Sequence, residues 1–211
     1  MAVPTDVVLV QAAVPSQVVA DMMCSGVWLA GFPCLAGAQL HPVWSGTSQM
    51  LYLSIALPEP RPVNSANLAE LESAFQRNFP SASGVRTSRL SRMFDILGAS
   101  SGELPAFHYV VETDPETGWA EEIARWYDNE HMPGLAAVPG CVRASRYLNH
   151  DHGPLSYACY DLVTQETLGC DAWLAVRNTD WSSQMRPHFT NTRRTMFSLA
   201  GRLLDLCQPS K

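Results

Sequence analysis

Apolar positions along the chain follow two different periods, which predict strands in some segments and helices in others. The segments VVLVQAAV (Val7–Val14) and FHYVVET (Phe107–Thr113) are rich in β-branched and aromatic residues, so each is predicted to be a strand. In the segment GWAEEIARWYDNEH, Trp119, Ile123 and Trp126 recur at helical spacing. This segment is therefore predicted to be an amphipathic helix that begins after Asp114-Pro115.

The segments after this helix predict a hairpin, a second helix and a last strand. Pro133 is predicted to end the regular hydrogen bonding of the helix, and Pro139-Gly140 marks a turn. The segments CVRASRYLN and LSYACYDLV are predicted to pair around the turn HDHGP. A second helix is predicted from about Asp171 to Met185, and a last strand from about Thr192 to Leu204.

The first half of the chain shows the same order of elements. Its segment ANLAELESAFQRNF is predicted to be the second helix, because Leu68, Leu71, Phe75 and Phe79 share one stripe. A last strand is predicted near Thr87–Leu97. The segment PEPRPVNS is interpreted as a linker within this half, and GASSGELP (Gly98–Pro105) as the linker between the halves.

An internal repeat relates the two halves. Placing Phe32-Pro33 over Val138-Pro139 gives an offset of 106 residues, and neighbouring segments then agree in type. Residues 1–100 are predicted to form a degenerate copy and residues 101–211 a second copy of the β-α-β-β-α-β, ferredoxin-like unit. The predicted fold is α+β, with both repeats closing into a single-chain α/β barrel that leaves no free sheet edge.

Composition narrows the classes of partner. Of the 211 residues, 46% are apolar and only 16% are charged, which favours a compact chain with much buried surface. The net charge of −6 and the lack of a basic cluster argue against nucleic acid or an anionic membrane as partner. The expected partner is a small-molecule substrate, and self-association through a surface other than the barrel interface stays open.

The sequence shows no secretion or membrane signal. The first residues lack a basic region and a long apolar run, so neither a signal peptide nor a membrane helix is predicted, and the expected location is cytoplasmic. The six cysteines show no CxxC spacing and are expected to be reduced thiols rather than disulfides.

A contiguous motif in the second copy carries a family resemblance. Trp126, Tyr127, His131 and Pro133 spell W-Y-x-x-x-H-x-P, and the turn Pro139-Gly140 and a strand follow. This pattern resembles the EthD-like branch of the dimeric α/β barrels. The resemblance covers about residues 105 to 201, and residues 7 to 97 only through the repeat.

The resemblance implies a small-molecule pocket and leaves the reaction open. Related barrels include cofactor-free monooxygenases of antibiotic biosynthesis, muconolactone-type isomerases, polyketide cyclases and haem-degrading enzymes. Fold membership does not choose among these activities. In the first copy, Ala20 and Ser25 stand where the second copy has Trp126 and His131. A single site in the second copy is therefore expected.

His131 is the first candidate for chemistry. A neutral imidazole takes or gives a proton near pH 7, as general acid–base catalysis requires. Tyr127 and Asp128 precede it by four and three residues, so each can share its helix face. Tyr127 or Tyr147 is predicted to polarise a carbonyl or phenol of the substrate, and Asp128 to hold the second imidazole nitrogen. The alternative is that His131 only caps the last carbonyls of its helix.

Four further residues and Trp126 are assigned to substrate binding. Arg143 and Tyr147 share one face of their strand, while Ala144 and Arg146 share the other. If the face with Ala144 packs under helices, Arg143 and Tyr147 turn into the barrel, although Arg146 makes this register uncertain. His108 and Tyr157 on neighbouring strands are predicted to face the same interior, with a purely structural role as the alternative for each.

No cofactor and no metal are predicted. The run His150-Asp151-His152 lies in a hairpin turn and lacks the further ligands that a metal site needs. The leading hypothesis is a cofactor-independent isomerase, cyclase, dehydratase or decarboxylase acting on a small aromatic, lactone or polyketide-like molecule. The alternatives are a non-catalytic binding or stress-response protein, or a monooxygenase of the same fold, including one with haem bound to His131.

Overall fold

The computed structural model describes residues 3–23 and 26–200, and both halves follow the predicted order of elements. The first half contains β1 (Val3–Ala13), α1 (Gln17–Met22), β2 (Gln39–Ser45), β3 (Met50–Val63), α2 (Ser65–Asn78) and β4 (Ser83–Leu97). Two short 3₁₀ turns, Gly26–Gly31 and Pro33–Leu35, lie between α1 and β2. Residue 25, which the repeat aligns with His131, lies outside the described residues.

The second half repeats this order with a more elaborate first helical segment. It contains β5 (Phe107–Pro115), α3 (Ala120–Trp126), a π-helical turn (Tyr127–His131), α4 (Met132–Ala136), β6 (Cys141–Asn149), β7 (Ser156–Leu162), α5 (Asp171–Arg177), α6 (Asp180–Met185) and β8 (Phe189–Leu199). The predicted hairpin is confirmed, since β6 and β7 pair antiparallel. The predicted end of the last strand, beyond residue 200, lies outside the described residues.

The eight strands form one sheet that closes on itself. Hydrogen bonds join the strands in the order β1-β3-β2-β8-β5-β7-β6-β4, and β4 pairs back with β1. The predicted α+β fold, with two ferredoxin-like repeats in a single-chain barrel, is confirmed by this strand order. A closed sheet leaves no edge strand exposed to pairing with another chain.

The chain divides into two compact units whose limits fall inside strands. One unit contains the described residues up to Ser91 together with those from Phe197 onward, and the other contains Arg92–Met196. The predicted repeats meet at residue 100, whereas these units divide within β4 and β8. Each of these two strands therefore supplies residues to both units.

The core of the first unit matches the predicted helix stripe. Leu68, Leu71 and Phe75 of α2 are buried in one apolar cluster with residues of β1 and β3. Asn64 caps the helix, because its side chain accepts from the amide of Asn67 and the Asn67 side chain accepts in return. This reciprocal capping fixes where α2 begins.

One segment of the first half that was predicted to be a linker is part of a strand. The segment PEPRPVNS belongs mostly to β3, which continues to Val63 and pairs with Val3 of β1. Strand β2 ends its pairing with β3 at Ala56, before the prolines of this segment begin. Pro58 and Pro60 lie between Ala56 and Arg61, where the pairing of β3 with β1 shifts register. The missing N–H groups of these two prolines therefore fall outside both regular ladders.

The helices of the second half also differ from their predicted limits. Pro133 does not end the first helix but lies in the first turn of α4, where a missing N–H costs no hydrogen bond. The predicted helix from Asp171 to Met185 is two helices, α5 and α6. Thr179 separates them, because its backbone is extended and its hydroxyl caps the amide of Ser182.

Two further findings concern membranes and thiols. None of the described helices combines the length and apolar character of a membrane-spanning segment. Cys34, Cys141, Cys159 and Cys170 are free thiols, and the other two cysteines lie outside the described residues.

Candidate functional site

The predicted motif forms a helical segment with a local change of hydrogen bonding. The amide of Met132 donates to the carbonyl of Tyr127, five residues earlier, so Tyr127–His131 is a π turn between α3 and α4. Such turns are frequent at functional sites. Residues five apart lie one above the other here, and the rings of Trp126 and His131 stack with centroids 4.2 Å apart.

His131 lines a small cavity on the side of the sheet that the helices cover. The cavity has a volume of about 30 Å³, which corresponds to about one water molecule. All of its lining residues belong to the unit Arg92–Met196. Its aromatic walls are Tyr109, Trp126, Tyr127, Tyr160, Trp173 and Phe189, and its cations are Arg177, Arg186 and Arg194.

Burial changes the acid–base properties of His131. Burial first, and then the positive charges of Arg177 and Arg186, lower the pKa of His131 from 6.5 to about 3. The imidazole is therefore neutral near pH 7. Its Nδ1 is buried without a hydrogen-bond partner, and so is the indole Nε1 of Trp173 on the same cavity. Buried polar atoms normally have partners, and a small polar group of a ligand would supply them here.

Glu130 is a member of this site that was not predicted. The indole N–H of Trp126 donates to Glu130 Oε1 over 3.2 Å, and the Thr179 hydroxyl donates to the same oxygen over 2.6 Å. Glu130 thus connects the Trp126 ring to the start of α6. The sequence did contain a signal for this contact, because Trp126 and Glu130 are four residues apart on one helical segment and can therefore share a face.

Tyr127 and Asp128 lie beside His131 but contact Arg146. The ring of Tyr127 is buried, with its centroid 5.6 Å from that of His131. Burial raises the pKa of the Tyr127 phenol above its usual range, although nearby arginines oppose this. Asp128 was predicted to hold the second imidazole nitrogen. Instead Asp128 Oδ1 accepts from Arg146 over 2.8 Å, while His131 Nδ1 has no partner.

The register of β6 separates Arg143 and Tyr147 from the His131 cavity. Ala144 packs with the aromatic residues under the helices, and Arg146 of the same face contacts Asp128. Arg143 and Tyr147 therefore lie on the opposite face, as their alternation predicted. Arg143 Nε donates to Asp95 Oδ1 over 2.6 Å. The structure does not bring these two residues to His131.

His108 and Tyr157 lie on that same opposite face. His108 is paired across the sheet with Asp161, and its Nδ1 lies 2.7 Å from Asp161 Oδ1. Burial lowers the pKa of His108, but hydrogen bonds to Asp161 and Cys159 outweigh it and raise this pKa to about 10. Tyr157 is paired with Glu112 and is buried. These predicted binding residues form a group apart from His131.

The cations of the cavity come from segments that the motif does not include. Arg186 follows α6 in the segment RPHF, and Arg177 ends α5. Arg194 on β8 is exposed, while Arg177 and Arg186 are half-buried. His188 of RPHF lies elsewhere, paired with Glu116 over 2.6 Å. Periodicity gave no signal that these arginines converge.

The residues around His131 do not fit haem. The cavity of about 30 Å³ holds about one water molecule, so a porphyrin would have to displace buried side chains and not only the arginines at its exposed side. Buried aromatic rings of Trp126, Tyr127 and Trp173 occupy the space that a porphyrin would need. Within residues 3–23 and 26–200, no group of three or more His, Cys, Asp or Glu could hold a metal ion.

Comparisons with known proteins show similarity of fold at low sequence identity. No family model matches the chain, and no curated protein matches it. A candidate monooxygenase from Lactobacillus acidophilus NCFM is 12% identical, with a TM-score of 0.60 over 93% of this chain and 96% of that one. An anthrone oxidase-like protein is 10% identical, with a TM-score of 0.58 over 95% and 94%.

A third similar structure extends the range of activities on this fold. Chlorite dismutase from Candidatus Nitrospira defluvii, in complex with imidazole, is 10% identical, with a TM-score of 0.58 over 93% of this chain and 92% of that one. Identities this low establish shared architecture and no shared activity. The chain therefore shares the fold of these proteins, a closed α+β barrel with two ferredoxin-like repeats in one polypeptide.

Proposed function

We propose that this protein is a cofactor-independent monooxygenase that oxidises a small phenolic or enolic aromatic molecule at the His131 cavity. The observation that carries the proposal is the neutral, buried His131, whose Nδ1 has no partner in a cavity lined by aromatic rings and three arginines. A neutral ring nitrogen is a proton acceptor. The arginines supply the positive charge that a substrate anion requires.

In the first step, His131 accepts a proton from the substrate. Loss of a proton from a phenol, or from a CH₂ group between aromatic rings, leaves an anion whose charge spreads over the rings. Burial lowers the pKa of His131 most, and the positive charges of Arg177 and Arg186 lower it further. A bound anion offsets that charge and makes the imidazole a stronger base at the moment when it is needed. The arginines also stabilise the anion directly.

The oxidation then needs only molecular oxygen. Conversion of an activated CH₂ group to a carbonyl is balanced as R₂CH₂ + O₂ → R₂CO + H₂O. The substrate supplies all four electrons that reduce O₂, one oxygen atom enters the product, and the other leaves as water. The substrate anion is the electron donor, and the role of the protein is to form and hold that anion in a site shielded from water.

A substrate would enter the cavity past its three arginine side chains. The cavity admits one small polar group as it stands, whereas Arg194 is exposed and Arg177 and Arg186 are half-buried. These long side chains can rotate to admit a ring while their charged ends stay at the entrance. The buried rings of Trp126 and Trp173 then provide apolar walls for stacking.

The fold and the motif add support of different strength. Proteins described as monooxygenase-like and anthrone oxidase-like share the fold, which supports this chemistry by analogy only. The W-Y-x-x-x-H-x-P motif supports a relationship to the EthD-like branch and places His131 beside the cavity. The isomerase or lyase hypothesis uses the same proton transfer, and oxygen consumption distinguishes it from oxygenation.

The test measures oxygen uptake with anthrone as the probe at pH 7. Wild-type protein is expected to consume one O₂ per carbonyl formed. His131→Gln keeps the size of the side chain but removes its acid–base capacity, so the rate should fall by about 10² or more. His150→Gln, at an exposed position in the hairpin turn, is the matched control and should keep the wild-type rate.

Two results would contradict the proposal. Oxygen uptake by wild-type protein no faster than the uncatalysed reaction, across a panel of phenols and anthrones, would reject oxygenation. Conversion of a substrate at an undiminished rate without O₂ would assign the site to an isomerase or lyase instead.

A further inference from the structure

A second group of reactive side chains lies on the sheet face opposite the helices. His108 of β5 pairs across the sheet with Asp161 of β7, and Val110 pairs with Cys159. Cys159 precedes Asp161 by two residues, so both side chains point to the same face as His108. We call Cys159, His108 and Asp161 the thiol cluster. Its parts are a nucleophile, an imidazole and a carboxylate.

The pairing of β5 with β7 puts Asp161 directly opposite His108 and Cys159 one diagonal position away on the same face. Asp161 Oδ1 lies 2.7 Å from His108 Nδ1 and fixes the orientation of the ring. Nε2 is then the ring nitrogen that Asp161 does not engage. Burial lowers the pKa of His108, but the hydrogen bond that its ring makes to Asp161 and the neighbouring Cys159 raise this pKa to about 10, so the imidazolium form is favoured near pH 7. An imidazole beside a cysteine supports attack by the sulfur, because the ring can take up and give back the proton of the reaction.

Exposure limits what can reach the sulfur. Cys159 is 7% exposed, whereas the side chains of His108 and Asp161 are 21% and 31% exposed. Solvent therefore reaches the cluster, while the sulfur itself admits only a small reagent. This excludes bulky acyl or peptide substrates and favours an electrophile of few atoms.

We propose that Cys159 is a second reactive site, a nucleophilic thiol supported by His108 and Asp161 that reacts with hydrogen peroxide and small hydroperoxides. The site is independent of the proposed oxygenase activity, because the thiol cluster and the His131 cavity lie on opposite faces of the sheet. The thiol cluster thus makes the protein a target of peroxide oxidation at one defined position.

The chemistry of the step is balanced. The Cys159 thiolate attacks one peroxide oxygen, an S–O bond forms, and the O–O bond breaks. Sulfur is oxidised by two electrons to sulfenic acid, and the peroxide is the oxidant that is reduced. The departing oxygen takes a proton from the His108 imidazolium and leaves as water, or as an alcohol when the oxidant is an alkyl hydroperoxide.

The experiment follows each thiol separately in the folded, full-length protein. Hydrogen peroxide is added for a set time and removed with catalase, and the remaining thiols are alkylated in denaturant and quantified by mass spectrometry. Cys141 is the internal standard, because it is fully buried and its burial raises the pKa of the thiol to about 12. Cys170, which is half-buried, controls for exposure. Cys159 is expected to react at least about 10-fold faster than both.

A pair of variants tests the role of the imidazole. His108→Gln retains a polar group beside Asp161 but cannot become a cation, so oxidation of Cys159 should slow by about 10²-fold. His150→Gln, outside the thiol cluster, should leave the rate unchanged. Equal rates for Cys159, Cys141 and Cys170 in wild-type protein would overturn the proposal without any variant. An unchanged Cys159 rate in folded His108→Gln would overturn the role of His108.

Discussion

Arg146 and Asp128 connect the strand β6 to the π turn beside His131. Arg146 Nη2 donates to Asp128 Oδ1 over 2.8 Å, and the Arg146 guanidinium lies 5.5 Å from the centroid of the Tyr127 ring. The arginine side chain is only 9% exposed, whereas that of Asp128 is 40% exposed. A buried cation on the helix-covered face of a strand thus finds its counter-charge on the helical segment that carries the motif.

Removal of the Asp128 carboxylate is expected to destabilise the fold moderately. Asp128→Ala leaves the Arg146 charge buried without its partner, which commonly costs about 3 to 5 kcal/mol in a dry interior. Because Asp128 is 40% exposed, water screens the pair and we expect about 1 to 2 kcal/mol. Urea unfolding measures this, with Glu103→Ala in the exposed linker as the control for loss of one negative charge. Equal stabilities of the two variants would contradict the prediction.

Gly140 is expected to tolerate no side chain. Its φ of +93° is unfavourable for other residues, and an added Cβ would clash with the hydroxyl of Thr167. Gly140→Ala should therefore lower the free energy of unfolding by about 1 to 3 kcal/mol. Gly102→Ala is the control, because nothing lies within 4 Å of its added Cβ. A thermal melt in which both variants match the wild type would show that the turn relaxes freely.

The low pKa of His131 predicts a pH-dependent contribution to stability. The folded state lowers this pKa from 6.5 to about 3, so protonation favours the unfolded chain. The contribution is fully present above pH 6.5 and is lost as pH falls toward 3, by at most about 1.4 kcal/mol per pH unit. His131→Gln removes this loss. Its stability should rise relative to wild type as the pH falls from 6.5 to 4. If the free energy of unfolding of wild type and of His131→Gln changes in parallel with pH, the lowered pKa of His131 is refuted.

The arginines of the cavity are expected to bind an aromatic anion. Salicylate, used as a probe, should bind wild-type protein, and Arg186→Gln should weaken binding by about 10-fold, as the loss of one charged hydrogen bond implies. Arg125→Gln is the control, because Arg125 is exposed and pairs with Glu122 outside the cavity. Calorimetry at low salt gives both affinities. An equal loss of salicylate affinity in the two variants would indicate nonspecific attraction by the net charge of the protein.

The fold was largely predictable because its signals are local. Alternating and helical periods, with proline and glycine at the turns, gave the order of elements in both halves, and the hairpin β6–β7 was predicted from adjacent segments. The continuation of β3 through Pro58, Pro60 and Pro62 was not predictable in this way. It depends on pairing with Val3 and Pro4, which lie nearly sixty residues earlier.

The site was predictable only where its residues are neighbours in sequence. The motif located Trp126, Tyr127 and His131 together, because all three belong to one helical segment. Arg177 and Arg194 come from α5 and β8, and only tertiary packing brings them to the cavity. The ambiguous residue of β6, Arg146, lies under the helices because Asp128 supplies a partner there. Its apolar neighbours alone could not decide this register.

The π turn at Tyr127–His131 is explained by one extra residue in this helical segment. A turn closed by a hydrogen bond over five residues contains one residue more than a regular α-helical turn. Deleting one residue between Tyr127 and His131 would restore a regular helix in which the histidine follows Trp126 by four residues, a spacing that still shares one helix face. The π turn therefore absorbs one residue and leaves the two rings on the same face. Homologues one residue shorter at this point are expected to keep both the barrel and the stacking of the histidine on the tryptophan.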